Sequence, residues 1–132
     1  MERLLISQLL KWKEKQGRKP LILEGARQVG KTWLLKEFGR KCFKDVCYIN
    51  FEKSDALESI FAGDLSPQFI IEQLSIYHGK LIKPESTLII FDEVQNNPKA
   101  RQAIKHLVKD HRYDYIETGS LISIRKNVQN II

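Results

Sequence analysis

The chain contains 132 residues, of which 42% are hydrophobic and 29% are charged, and its formal net charge is +6. This length matches one average domain and this composition is that of a globular protein, so we expect a single domain over residues 1–132 and exclude a disordered chain. The longest apolar runs have about five residues against the roughly 20 that span a bilayer, and no secretory signal is present, so the sequence predicts a cytoplasmic protein without a membrane partner.

The order of apolar patterns and turn residues predicts helices alternating with strands. In chain order we expect a helix over residues 3–15, a strand over 21–23, a helix over 31–38, a strand over 46–51, helices over 55–63 and 67–77, a strand over 87–91, a helix from residue 98, and a strand over 113–118. Gly39 and Gly79 are expected to end the helices that precede them, and the tail 121–132 is ambiguous.

This alternation predicts an α/β fold, in which crossover connections build a parallel sheet covered by helices on both faces. Ligands of such sheets bind beyond the carboxyl ends of the strands. The residues that carry the function are therefore expected just after Leu23, Phe51, Phe91 and Ile116.

A phosphate-binding motif follows the first strand. The pattern G-x-x-x-x-G-K-[ST] is matched in full by Gly25, Ala26, Arg27, Gln28, Val29, Gly30, Lys31 and Thr32. Its glycines let successive backbone N–H groups point into one concavity at a helix N-terminus, where they can hold phosphates. The lysine adds a positive charge between the β- and γ-phosphates, and the Thr32 hydroxyl can take a position on Mg²⁺.

Two carboxylates follow the third strand. Asp92 ends the apolar run of residues 87–91, where it can help to hold Mg²⁺ opposite Thr32, and the adjacent Glu93 can orient or deprotonate the water that attacks the γ-phosphate. Thr118 and Ser120 end the fourth strand. Their hydroxyls are candidates for contact with the γ-phosphate or the water, and the alternative is a simple strand-to-turn exit at Gly119.

Segments 18–32, 88–95 and 118–120 together resemble the AAA-type P-loop ATPases, and more narrowly the prokaryotic ATPases in which an AAA-like core precedes a domain of unknown function. The resemblance covers roughly residues 3–125. It implies a three-layer P-loop NTPase fold with strand order 1-4-3-2 and the cofactors ATP and Mg²⁺. It makes residues 25–32 the Walker A loop, Asp92 the Walker B aspartate, Glu93 the catalytic glutamate, and Thr118 or Ser120 the first sensor.

Members of that family continue with a fifth strand, a helical lid and a C-terminal domain, which this sequence lacks. We therefore expect a truncated core whose first strand has a bare outer edge. Another copy of the chain, in a homo-oligomer, and a C-terminal partner domain are both candidate partners. Two functions remain: Mg²⁺-dependent ATP hydrolysis, and a non-catalytic nucleotide-binding module that regulates a partner. A small-molecule kinase fits poorly because the only late basic pair is Arg125 and Lys126.

Three smaller features each have two interpretations. Arg27 is a solvated loop tip or a contact with phosphate or a neighbouring subunit, and Trp33 is a packing residue or a platform for adenine. Residues 1–44 contain 12 Lys and Arg against 4 Asp and Glu, whereas residues 45–132 contain 10 against 12. These basic residues are interpreted as a solvated helix face, and nucleic acid is the alternative partner that they could contact.

Overall fold

A computed structural model describes residues 2–15, 19–24, 31–52, 60–63, 66–107, 109 and 112–119. The helices are α1 (Glu2–Glu14), α2 (Lys31–Cys42), α3 (Pro67–His78) and α4 (Pro98–Leu107), with a short 3₁₀ helix at Val94–Asn96. The strands are β1 (Leu21–Glu24), β2 (Asp45–Asn50), β3 (Thr87–Asp92) and β4 (Asp114–Gly119). Residues 60–62 are also helical, whereas the rest of the helix predicted over 55–63 and the tail 121–132 lie outside the described residues.

The four strands form one parallel sheet in the order β1-β4-β3-β2. This order confirms the α/β fold and the arrangement 1-4-3-2 that the resemblance implied. Consecutive strands that are parallel need crossover connections, and here helices supply them. In the described part of the chain β1 has no strand on its outer side.

Two apolar cores cover the two faces of the sheet. On one face, α1 and α2 bring Leu9, Trp12 and Leu35 against Leu88 and Ile90 of β3. On the other face, α3 and α4 pack against the alternate residues of the strands, which include Ile89, Phe91 and Tyr115. All six residues of β3 are buried because this central strand is covered on both faces. The result is the three-layer arrangement expected from the sequence.

The prediction that Gly39 ends the second helix is wrong. The helix α2 runs through Gly39 to Cys42. Gly39 is buried, and a Cβ atom built there would lie 2.4 Å from Cγ2 of Val46 and 3.2 Å from Cδ2 of Leu88. The glycine therefore allows close approach of α2 to the sheet. Gly79, in contrast, does end α3, in a left-handed conformation with φ of 80°.

The predicted helix starts at residues 67 and 98 are confirmed. Each helix begins at a proline that follows a polar residue, and the two polar residues act differently. Ser66 precedes Pro67 in extended conformation, and its side chain does not make the capping hydrogen bond at the start of α3. Oδ1 of Asn97 accepts a hydrogen bond of 3.1 Å from the N–H of Ala100 in the first turn of α4.

None of the helices in the described part of the chain combines the length and the apolar character needed to cross a bilayer.

Candidate functional site

The polar residues of interest meet at the carboxyl edge of the sheet. Asp92 is the last residue of β3, and the register sets Asn50, the last residue of β2, directly beside it. On the other side of β3, Phe91 is paired with Glu117 of β4, so that Thr118 lies next to Asp92. The helix α2 begins above this edge with Lys31 and Thr32.

The Asp92 carboxylate accepts hydrogen bonds from three hydroxyl groups. Oγ1 of Thr32 donates to Oδ2 over 3.0 Å, and the Tyr48 hydroxyl donates to the same oxygen. The Thr118 hydroxyl donates to Oδ1. Asp92 is only 2% exposed, and its three donors come from three different elements, α2, β2 and β4. The contact between Thr32 and Asp92 joins the two predicted metal-binding residues across 60 positions of sequence.

The surroundings of Asp92 favour its charged form. Burial by itself raises the pKa of this carboxyl, but the hydrogen bonds from Thr118, Tyr48 and Thr32 and the positive charge of Lys31 together outweigh burial, so that the pKa lies below its ordinary value. A carboxylate that accepts several hydrogen bonds next to a lysine is ionised at neutral pH. Asp92 therefore presents a stable negative charge at the edge of the sheet.

The contribution of Tyr48 was not foreseen from the sequence. This half-buried residue lies in β2 opposite Ile90, and Nδ2 of Asn50 lies 3.5 Å from its hydroxyl oxygen. Burial and the hydrogen bond to Asp92 raise the pKa of the Tyr48 phenol to about 12, so the group is protonated at neutral pH and can donate. The available signal in the sequence was the pair of polar residues at alternate positions, Tyr48 and Asn50, at the end of β2.

Thr118 connects the two acidic residues. Its hydroxyl donates to Asp92 and accepts a hydrogen bond of 3.1 Å from the N–H of Glu93. Glu93 is 7% exposed and has a left-handed backbone with φ of 57° and ψ of 46°, a conformation that costs a residue with a side chain roughly 1–2 kcal/mol. The Glu93 carbonyl also accepts two hydrogen bonds, each of 3.2 Å, from the backbone and the side chain of Asn96. These bonds hold the turn that follows β3.

The remaining predicted site residues separate into two groups. Lys31 and Thr32 open α2, half-buried, at the carboxyl edge, while Trp33 is 63% exposed, so the interpretation of Trp33 as a packing residue is wrong. The other predicted residues lie outside the described part of the chain: they are Gly25, Ala26, Arg27, Gln28, Val29, Gly30 and Ser120.

A second buried carboxylate lies on the opposite face of the sheet. Glu117 is buried against α4, where Nε of Arg101 lies 3.6 Å from its Oε1. Burial raises the pKa of Glu117, and the charges of Arg101 and Lys105 offset only part of this effect. Because adjacent residues of a strand point to opposite faces, Glu117 lies away from the Asp92 cluster although it precedes Thr118.

The donor set around Asp92 suits a hard divalent cation. Hydroxyl and carboxylate oxygens are the ligands that Mg²⁺ prefers, and Mg²⁺ takes few of them from the protein. Because Thr32 donates its hydroxyl proton to Asp92, the lone pairs of its oxygen can face a cation. Among the described residues no group of three or more His, Cys, Asp or Glu side chains forms an alternative metal centre.

The family model of the AAA domain matches residues 17–130 of the chain. No curated protein shows a significant match.

Among solved structures, the chain is similar to the ORC1 protein of Aeropyrum pernix in complex with DNA, with a TM-score of 0.60 and 15% identity over 98% of this chain and 40% of that chain. It is also similar to a chain of Drosophila ORC bound to AT-rich DNA and Cdc6, with a TM-score of 0.60 and 20% identity over 96% of this chain and 49% of that chain. This chain thus spans less than half the length of either one. At such identities the likeness shows the fold, which is that of P-loop NTPases.

Proposed function

This chain belongs to the AAA domain family, whose members are nucleotide-binding modules of the ATPase type, and from this membership and the Asp92 cluster we propose that it binds ATP with Mg²⁺ and hydrolyses it. In this proposal residues 1–132 act as one AAA-like core domain, residues 25–32 are the Walker A loop, and Asp92 is the Walker B aspartate.

One observation carries the proposal. Oγ1 of Thr32, in the first turn of α2, lies 3.0 Å from Oδ2 of Asp92 at the end of β3. A G-x-x-x-x-G-K-[ST] motif could occur by chance, and so could a carboxylate after a strand. Their contact, beside a lysine whose charge lowers the pKa of the carboxyl, is what a site for a metal-bound polyphosphate requires.

The phosphates are assigned to the start of α2. In the proposal the backbone N–H groups of residues 25–30 and the helix N-terminus bind them, and the ammonium of Lys31 neutralises charge on the β- and γ-phosphates. Arg27 remains a candidate for a further phosphate contact. The exposure of Trp33 supports the alternative in which its ring stacks on the adenine.

Thr32 and Asp92 would hold Mg²⁺. When bound, the ion neutralises the phosphate charge and favours attack on the γ-phosphate. The Thr118 hydroxyl keeps Oδ1 of Asp92 in position, and the ionised state of Asp92 avoids a competing proton at the same oxygens.

Hydrolysis is assigned to the turn after β3. Glu93 would orient the attacking water and accept its proton, because it directly follows Asp92 and its backbone is fixed by Thr118 and Asn96. Thr118 or Ser120 would sense the γ-phosphate. For Thr118 this role requires its hydroxyl to leave at least one of its two present partners.

Binding and turnover can be tested on the 132-residue chain with a fluorescent ATP analogue and a phosphate-release assay. Lys31→Ala should abolish nucleotide binding, because the ammonium is the only side-chain charge of the motif besides Arg27. Lys41→Ala is the matched control, since Lys41 is exposed in the last turn of the same helix. Equal ATP affinity of the wild type and Lys31→Ala would refute the assignment. Glu93→Gln should bind ATP and lose turnover.

A second candidate is a nucleotide-binding module without turnover. The observation in its favour is the burial of Glu93, since a base has to reach water on the nucleotide. If the wild type binds ATP in a Mg²⁺-dependent manner and releases no phosphate above the level of Lys31→Ala, this second function is the correct one.

Partners and location are part of the proposal. The neighbours in complex with DNA, together with the exposed Lys11 of α1, support nucleic acid as a candidate partner, and a homo-oligomer or a C-terminal partner domain is the other candidate. The composition and the free thiols of Cys42 and Cys47 support a cytoplasmic location.

A further inference from the structure

Tyr48 contacts the proposed metal site from a strand that the ATP-binding motifs do not include. Its hydroxyl donates to Oδ2 of Asp92, the oxygen that also accepts the Thr32 hydroxyl. The parallel register of β2 and β3 pairs Tyr48 with Ile90, two residues before Asp92. The phenol is long enough to span this offset, whereas Asn50, paired directly with Asp92, bonds to other groups.

The neighbours of Tyr48 favour donation of its hydroxyl proton to Asp92. Nδ2 of Asn50 donates to the hydroxyl oxygen over 3.5 Å, and Oδ1 of Asn50 accepts the N–H of Glu52 over 2.8 Å. The second bond orients the amide so that its NH₂ group faces Tyr48. Nζ of Lys36 lies 4.2 Å from the centre of the Tyr48 ring and holds the ring from the side of α2. With a donor on its oxygen, the phenol directs its own proton to Asp92.

We propose that Tyr48 is a positioning residue for Mg²⁺-dependent ATP binding. Its hydroxyl holds the Asp92 carboxylate in the orientation in which Thr32 and Asp92 can bind the same cation. The inference rests on the proposed function. Thr118 fixes Oδ1 from β4, and Tyr48 fixes Oδ2 from β2, so that the carboxylate cannot rotate about its own axis. Without the phenol, the Thr32 hydroxyl would be the one hydrogen-bond donor to Oδ2 of Asp92 that remains among the described residues.

Removal of the Tyr48 hydroxyl should lower the affinity of the site for Mg²⁺ and leave its affinity for the phosphates unchanged. Groups that hydrogen-bond a metal ligand typically change metal affinity by about tenfold or more when they are removed. Among the described residues no hydrogen bond joins Tyr48 to Lys31, so nucleotide binding without metal should not depend on the Tyr48 hydroxyl.

The test compares ATP affinity in millimolar Mg²⁺ with ATP affinity in EDTA, and its readout is the ratio of the two. Tyr48→Phe keeps the ring and its contact with Lys36, so the chain keeps its fold, which thermal unfolding verifies. The ratio should fall about tenfold while the affinity in EDTA stays unchanged. Tyr77→Phe removes an exposed hydroxyl from α3 and is the matched control, with no change expected.

A double-mutant cycle shows whether Tyr48 acts through Asp92. In an Asp92→Asn background, Tyr48→Phe should no longer lower the ratio. An unchanged ratio in the single variant, an equal fall in both backgrounds, or an equal loss of affinity in Mg²⁺ and in EDTA would each overturn the inference. A wild type that binds ATP equally well with and without Mg²⁺ would instead refute the metal site of the proposed function, so the two failures are distinguishable.

Discussion

Replacement of Thr118 by valine tests the hydrogen bonds that join Asp92 to Glu93. Valine has nearly the shape of threonine but no hydroxyl, and Thr118 is fully buried. The variant therefore removes the donor to Oδ1 of Asp92 and the acceptor of the Glu93 N–H without opening a cavity.

The expected loss in the free energy of unfolding follows from these two bonds. A hydrogen bond to an ionised group contributes about 1.5–3 kcal/mol, and an unsatisfied buried N–H costs about 1–3 kcal/mol. Because Glu93 keeps a little exposure, we expect a combined loss of about 3 kcal/mol at pH 7. Thr118→Ser keeps both bonds and removes one methyl group, which should cost about 1 kcal/mol.

The pH dependence separates the two bonds. The pKa of Asp92 is lowered in the folded state, so the stabilisation from its charged form is present above the ordinary value of 3.8 and is lost as the pH falls through the folded value. Loss of the Thr118 donor moves the folded pKa upward. The difference between wild type and Thr118→Val should therefore shrink as the pH falls through the folded pKa values of Asp92 in the two proteins, while the cost of the unsatisfied N–H remains.

Urea unfolding followed by far-UV circular dichroism, with the buried Trp12 as a fluorescent probe, measures these quantities. Equal losses for Thr118→Val and Thr118→Ser would show that the hydroxyl contributes nothing and would refute the reasoning. A loss for Thr118→Val that stays the same while acid protonates Asp92 in both folded proteins would show that the charge of Asp92 is not involved.

Two further predictions concern packing and a buried ion pair. Gly39→Ala gains about 1 kcal/mol of helix propensity but forces a Cβ atom to 2.4 Å from Cγ2 of Val46. This overpacking should leave a net loss of about 1 kcal/mol in the free energy of unfolding. Addition of Val46→Ala should reverse part of the loss. A stabilised Gly39→Ala variant in urea unfolding would contradict this. Arg101→Met leaves Glu117 buried without its nearest cation and should cost about 3 kcal/mol at pH 8. Because the pKa of Glu117 is raised in the folded state, its contribution to stability is present below the ordinary value of 4.5 and is lost as the pH rises. The loss caused by Arg101→Met should therefore be smaller at pH 5 than at pH 8. Thermal unfolding that gives equal losses at both pH values would contradict this.

The elements could be predicted because their signals are local. Each strand is short, contains apolar residues and lies between turn residues, and Pro67 and Pro98 mark helix starts that the structure confirms. The meeting of Thr32 with Asp92 also followed from the sequence, since residues after parallel strands lie at one edge of the sheet. The strand order came from the resemblance, because periodicity does not specify which strands are neighbours.

The errors share a physical origin, which is that they depend on tertiary contacts. Gly39 resembles a helix-ending glycine in the sequence, and only the distance to Val46 shows that it serves close packing inside α2. The contact between Tyr48 and Asp92 depends on the register of β2 against β3, and a slip by one residue would turn Tyr48 to the other face. Trp33 is exposed because α2 presents this position, which is followed one turn later by Lys36 and Glu37, away from the sheet.

The three hydroxyls on Asp92 also decide which variant can test the site. Asp92→Ala would leave the hydroxyls of Tyr48, Thr118 and Thr32 without their common acceptor in a buried position, so a loss of ATP binding could result from unfolding. Asp92→Asn keeps the shape and one carbonyl oxygen, and hydroxyl groups can turn to accept a hydrogen bond from the new amide. The asparagine therefore removes the charge that a cation requires while the contacts among α2, β2 and β4 persist. Loss of the Mg²⁺-dependent part of ATP binding in Asp92→Asn, in a variant whose cooperative unfolding transition still lies above the assay temperature, would assign the effect to the missing charge and not to the fold.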